Sequence, residues 1–136
     1  MKNEFWLSLP SKDLIKSRVF FQKLGFTFND RFPNAEMVSM FMGPSNFVLN
    51  LFPENIFQSF INHKVTNTAE SNEIVFSLGA SSVSEVDQFA KNAVAAGANL
   101  YANPGFKDGW MYGCGFVDLD GHRWSVLYMD MSKMPK

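Results

Sequence analysis

The sequence predicts an α+β fold made of two copies of a β-α-β-β-β unit, arranged as a curved mixed sheet around a cavity. Two observations carry this reading. Leu7-Ser8-Leu9 leads into an amphipathic stretch that closes at Leu24-Gly25-Phe26, and Phe76-Ser77-Leu78 leads into a second that closes at Ala96-Gly97-Ala98. Each stretch is followed by short apolar runs of strand character. One copy cannot bury both faces of its own sheet, so a repeat implies that two copies share the task.

The elements follow in chain order. Residues 5–9 alternate as a strand, Pro10 breaks it, and Ser11 is the expected helix cap. From Lys12 to Leu24, Leu14, Phe21 and Leu24 share a helical face opposite Lys12, Lys16 and Lys23, and Gly25 stops the helix. Strands are expected at 26–29, 35–42 and 46–52, with turns at Pro33-Asn34 and Gly43-Pro44-Ser45. Ile56, Phe57, Phe60 and Ile61 have helical spacing, and 66–72 reads as an exposed polar linker. The second unit opens with a strand at 73–78. Ser82-Val-Ser-Glu85 is a capping-box pattern ahead of Val86, Phe89, Ala90, Ala93 and Val94. Strands at 99–102, 111–118 and 122–129 complete it, the last two joined by the hairpin signal Leu119-Asp120-Gly121. The first module thus covers 4–52, a connector 53–72 and the second module 73–130, within one domain of 1–136.

Composition narrows the function classes. The chain has 136 residues and 46 % apolar content, with 15 Phe and 3 Trp, enough for a real core and an aromatic pocket. A net charge of −1 without a basic run argues against nucleic acid or an acidic membrane surface as partner. The lone Cys114 excludes an internal disulfide and suits a reducing compartment. The N-terminus lacks the pattern of a signal peptide and no segment is apolar over a membrane's thickness, so a cytoplasmic protein is expected.

Alternation sorts the strand residues by face. Leu7 and Leu9 go under the helix with Phe5, leaving Trp6 and Ser8 on the open face. Phe47, Leu49 and Leu51 go inward, leaving Val48, Asn50 and Phe52. Trp124, Val126 and Tyr128 are core, leaving Arg123, Ser125 and Leu127, and residues 73–78 offer Glu73, Val75 and Ser77. Such mixed polar and aromatic faces suit a small-molecule ligand.

With these residues in view, the chain resembles the vicinal oxygen chelate superfamily, which includes glyoxalase I, extradiol dioxygenases, fosfomycin-resistance enzymes and bleomycin-binding proteins. Leu9-Pro10-Ser11-Lys12-Asp13-Leu14, Phe20-Phe21-Gln22-Lys23-Leu24-Gly25-Phe26, Ala96-Gly97-Ala98 and Phe116-Val117-Asp118-Leu119-Asp120-Gly121-His122 carry the resemblance across residues 4–130. It implies a glyoxalase/bleomycin-resistance-like fold and a homodimer. It also implies four open-face metal positions, which fall on Trp6, Asn50, Glu73 and Ser125. Of these only Glu73 is a competent ligand, whereas a catalytic zinc site normally holds three strong protein ligands. The expected metal is none and the expected cofactor none.

The expected function is therefore metal-independent binding of a small molecule by a protein of bleomycin-resistance-like architecture. The competing reading is a divergent glyoxalase I-like (lactoylglutathione) lyase or another metal-dependent enzyme of the same superfamily, with Glu73 as the lone catalytic candidate. Ligand contacts are expected from Trp6, Ser8, Asn50, Glu73, Trp110, Tyr112, Arg123 and Ser125. Arg123 could clamp a carboxylate or phosphate, or pair with Glu73. His122 reads as a hairpin residue, His63 as an exposed bystander and Cys114 as a buried thiol. Residues 103–112 read as a glycine-punctuated loop, with Trp110 and Tyr112 free to stack on a ligand or a second subunit.

Overall fold

The computed structural model describes residues 4–31, 36–44 and 47–136. The chain divides into two compact units, Met1–Asn67 and Thr68–Lys136, and the division falls inside the expected connector. Unit 1 runs β1 (Trp6–Ser11), α1 (Leu14–Lys23), β2 (Thr27–Phe28), β3 (Val38–Met42), β4 (Phe47–Pro53) and α2 (Glu54–Ile61). Unit 2 runs β5 (Val75–Gly79), α3 (Val83–Ala95), β6 (Asn99–Lys107), β7 (Met111–Val117) and β8 (Arg123–Met129), then a 3-10 turn. The turn at Pro33-Asn34 lies outside the described residues.

The repeat is present in the topology. One sheet has the order β1-β4-β3-β2 and the other β5-β8-β7-β6, each with its first and last strands parallel and the rest antiparallel. Both main helices also end in the same way. Gly25 (φ +89°) and Gly97 (φ +108°) take the left-handed region that stops a helix. Phe26 N donates to Phe21 O and Gly25 N to Gln22 O, while Ala98 N donates to Ala93 O and Gly97 N to Val94 O. In unit 1 the Phe21 and Phe26 rings then meet at 5.5 Å, the apolar contact that accompanies this stop.

Each helix covers one face of its own sheet. Phe20, Phe21 and Leu24 are buried with Val38, Met40, Leu49 and Leu51 in unit 1. Val86, Ala90 and Ala93 are buried with Cys114, Phe116, Trp124 and Val126 in unit 2. Alternation along β4 and β8 therefore assigns the core correctly. Phe5 departs from it: it precedes β1, is 69 % exposed, and its ring lies against that of Phe47.

The start of α1 also differs from expectation. Asp13, not Ser11, is the cap: its backbone is extended and its Oδ1 accepts from Lys16 N at 3.0 Å. Ser11 still belongs to β1, opposite Pro53, and its buried hydroxyl bonds Ser17 Oγ at 3.1 Å. A cap must stand immediately before the first helical residue, and β1 runs too far for Ser11 to do so. Asp13→Ala is expected to cost about 1 kcal/mol, read as a lowered urea midpoint. At α3 Ser82 caps as expected, accepting from Glu85 N at 3.1 Å. The Glu85 carboxylate reaches Ser81 instead of closing the box on Ser82.

Two strands differ in extent from the expected 73–78 and 99–102. β5 begins at Val75, so Glu73 lies ahead of it in an exposed bend. β6 runs on to Lys107, so most of the expected loop over 103–112 is a hairpin arm, closed by consecutive positive φ angles at Asp108 and Gly109. Pro104 and Gly105 mislead because β6 is an edge strand with register shifts on either side of Ala102. There a missing N–H costs no ladder bond.

Candidate ligand-binding faces

In unit 1, register sets the open face row by row. Trp6, Val48 and Phe41 form one row; Ser8, Asn50 and Ser39 form the next. Trp6 stands at the outer end of β1 and is 57 % exposed. Asn50 sits between two serines on the central strand, and its Oδ1 is buried without accepting a hydrogen bond from any described protein group. A buried carbonyl left in that state costs about 1–3 kcal/mol, so this oxygen is open to a donor beyond the described protein groups, such as water or a ligand.

In unit 2, the equivalent pairing is Ser77 opposite Ser125, with the two hydroxyls hydrogen-bonded at 2.7 Å. Arg123 stands one row away, opposite Val75 and Val117. Its guanidinium lies 4.8 Å from the centroid of the Tyr101 ring. That ring crosses β7 at Gly115, where any Cβ would overlap it, and the Tyr101 hydroxyl donates to Trp124 O at 3.0 Å. Burial raises the Tyr101 phenol above its usual value, with Arg123 opposing, so it remains a donor. On the other side, Leu127 fills the space above Gly113.

Tyr101 was not anticipated. The signal was available in Gly113-Cys114-Gly115, since two glycines at strand period mark a groove into which another side chain settles.

The remaining sequence candidates separate from these faces. Tyr112 shares the helix-covered side of β7 with Cys114 and donates to Asp87 Oδ1 on α3 at 2.5 Å, which raises the phenol's pKa. The Cys114 thiol is buried and pushed up, first by that burial and then by Asp87. Trp110 lies in the β6–β7 turn, where its carbonyl accepts from Asp130 N at 2.8 Å. His63 is exposed beyond α2. Glu73 is exposed, and among the described residues it forms no ion pair with Arg123. The structure thus brings together Ser8 with Asn50, and Arg123 with Ser125, within their own units.

His122 belongs to a buried anchor. Asp118 Oδ1 accepts from Asp120 N and His122 N, both at 2.9 Å, and Oδ2 accepts from Trp124 Nε1 at 2.9 Å. Side-chain ligand atoms of Asp118, Asp120 and His122 lie within 4.8 Å of one another. With both Asp118 oxygens already engaged, this cluster holds the β7–β8 hairpin together.

Two α/β units of identical strand order, each with one helix-covered and one open face, define a class of protein built by duplication. A family model described as bleomycin resistance protein-like N-terminal matches residues 5–43. The hypothetical protein SA1046 from S. aureus is 34 % identical, with a TM-score of 0.84 over 94 % of each chain. A glyoxalase-related enzyme from Fulvimarina pelagi is 22 % identical, with a TM-score of 0.78 over 93 % of this chain and 88 % of that one. A lactoylglutathione lyase from Agrobacterium tumefaciens is 17 % identical, with a TM-score of 0.65 over 93 % and 94 %. No protein of curated function matches the sequence. The chain has the glyoxalase/bleomycin-resistance-like α+β fold, in keeping with the resemblance of its sequence to the vicinal oxygen chelate superfamily.

The four side chains at the metal positions implied by that resemblance do not fit a divalent transition metal. Indole, amide and hydroxyl occupy three of the four, and the Ser125 hydroxyl already bonds Ser77. Glu73, the one anionic donor, stands outside the β5 ladder.

Proposed function

We propose that this protein is a metal-independent binder of a small organic molecule, working in the cytoplasm as a homodimer, with the open sheet faces supplying the ligand contacts. The observation that carries the reading is Asn50: a central, buried acceptor with no protein donor, at a position where the resemblance implies a metal ligand. Its neighbours Ser8 and Ser39 offer hydroxyls, and a neutral amide between hydroxyls is a means of recognising polar groups by hydrogen bonding. The lone buried thiol accords with a reducing compartment.

Metal analysis of freshly purified protein, followed by titration with nickel, zinc and manganese, tests this. The expected result is substoichiometric metal and no saturable tight site. A screen of small organic compounds by tryptophan fluorescence should give ligands that Asn50→Ala binds about fivefold or more weakly, the loss of one neutral hydrogen bond in a buried setting. Tight one-to-one metal would instead favour a metal-dependent enzyme, a divergent glyoxalase I-like lyase or another member of the superfamily. Sedimentation at several concentrations reads the dimer.

A further inference from the structure

Arg123 is a cation on the open face of unit 2, and it is held in an unusual way. Among the described residues it forms no ion pair with a carboxylate. What holds it is the Tyr101 ring, and what holds Tyr101 is the strand beneath: Gly115 leaves room for the ring, and Trp124 O receives its hydroxyl. Stacking fixes the plane of a guanidinium without consuming its N–H groups, so the fork remains available for two parallel hydrogen bonds. Ser125 follows Arg123 on the same face of β8, and with Ser77 it forms a hydroxyl pair beside the cation. An Arg fork flanked by hydroxyl donors matches the geometry and charge of an oxyanion.

We propose that this face of unit 2 binds the anionic head group, a carboxylate or a phosphate-type group, of the protein's small-molecule ligand. The inference rests on the binding function above and specifies its ligand class. Tyr101 and Gly115 are positioning residues, and Arg123, Ser77 and Ser125 make the contacts.

The test is isothermal titration of the full chain with four aromatic probes: benzoate, phenylphosphonate, the neutral benzamide and the cationic benzylamine. Wild type should bind at least one anion more tightly than benzamide or benzylamine, and which anion is preferred separates carboxylate from phosphate-type ligands. Arg123→Ala should weaken that anion about tenfold or more, as expected for a charge-assisted bidentate contact. Arg123→Lys, which keeps charge but loses the fork, should recover only part. Tyr101→Leu, which spares Arg123 but removes its platform, should weaken the anion by a larger factor than it weakens benzamide. Near-UV circular dichroism checks that each variant is folded.

Equal affinity of wild type and Arg123→Ala for the anions overturns the proposal, as does the absence of any anion binding. If benzamide or benzylamine binds and the anions do not, the binding function stands and only the anionic ligand class falls.

Discussion

Asp118→Ala is expected to remove roughly 3–5 kcal/mol of stability at neutral pH, because it strands three buried donors at once. The Asp120 and His122 backbone N–H groups and the Trp124 indole N–H all point at this carboxylate. A single orphaned buried donor costs about 1–3 kcal/mol, and three sharing one acceptor cost less than their sum. Against a typical total of about 5–15 kcal/mol, the loss is large. Trp124 is fully buried, stacked on Phe116 with ring centroids 5.9 Å apart and planes 6° apart, so its emission reports the damage. Urea unfolding followed by tryptophan fluorescence measures both; a midpoint unchanged from wild type would show that the hairpin does not depend on this network.

The same carboxylate gives a pH signature. Burial raises Asp118 above the usual carboxylate range, while His122, the Trp124 N–H and the backbone donors pull it down. A folded-state pKa above the unfolded one means the folded chain holds this proton more tightly. The corresponding stability is full below the unfolded value and declines as pH rises through the folded one. The gap between wild type and Asp118→Ala should therefore narrow from acid toward neutral pH. A gap that widens over that range contradicts this sign.

Gly121→Ala is expected to cost about 2–4 kcal/mol, combining a left-handed backbone position with overpacking. Gly121 has φ +84°, and a Cβ there would overlap Thr68 Oγ1 and come within 2.7 Å of Thr68 Cβ. Thr68 is not a passive linker residue: its hydroxyl donates to Asp120 O at 2.6 Å and so ties the unit's first residue to the hairpin. Thr68→Ala alone should cost about 1 kcal/mol. In the double variant the overlap with Oγ1 is relieved while the close approach to the remaining Cβ and the φ strain stay, so its cost should fall below the sum of the single costs. Strict additivity in a double-mutant cycle would mean that Thr68 and Gly121 do not touch.

The hairpin at Asp118–His122 was legible because its signal is local: an Asp-Gly turn between apolar runs. Tyr112 was separable in principle, since it shares alternation with Cys114, which reads as buried. Asn50 and Ser8 were found on one face by the same alternation, but that they stand opposite each other depends on the offset between β1 and β4. Tyr101 and the length of β6 escaped because edge-strand bulges obey no period.

The sequence by itself determined the duplication, the glycine stops of both helices and the buried face of each sheet. Those properties follow from backbone preference, residue chemistry and side-chain alternation, which act over a few residues. Only the tertiary structure decided that Asn50 lacks a donor, that Ser77 meets Ser125, and that Tyr101 lies beneath Arg123. Each of those depends on which strand lies beside which and in what register, and pairing between distant segments is fixed by the packed core rather than by any local stretch of chain.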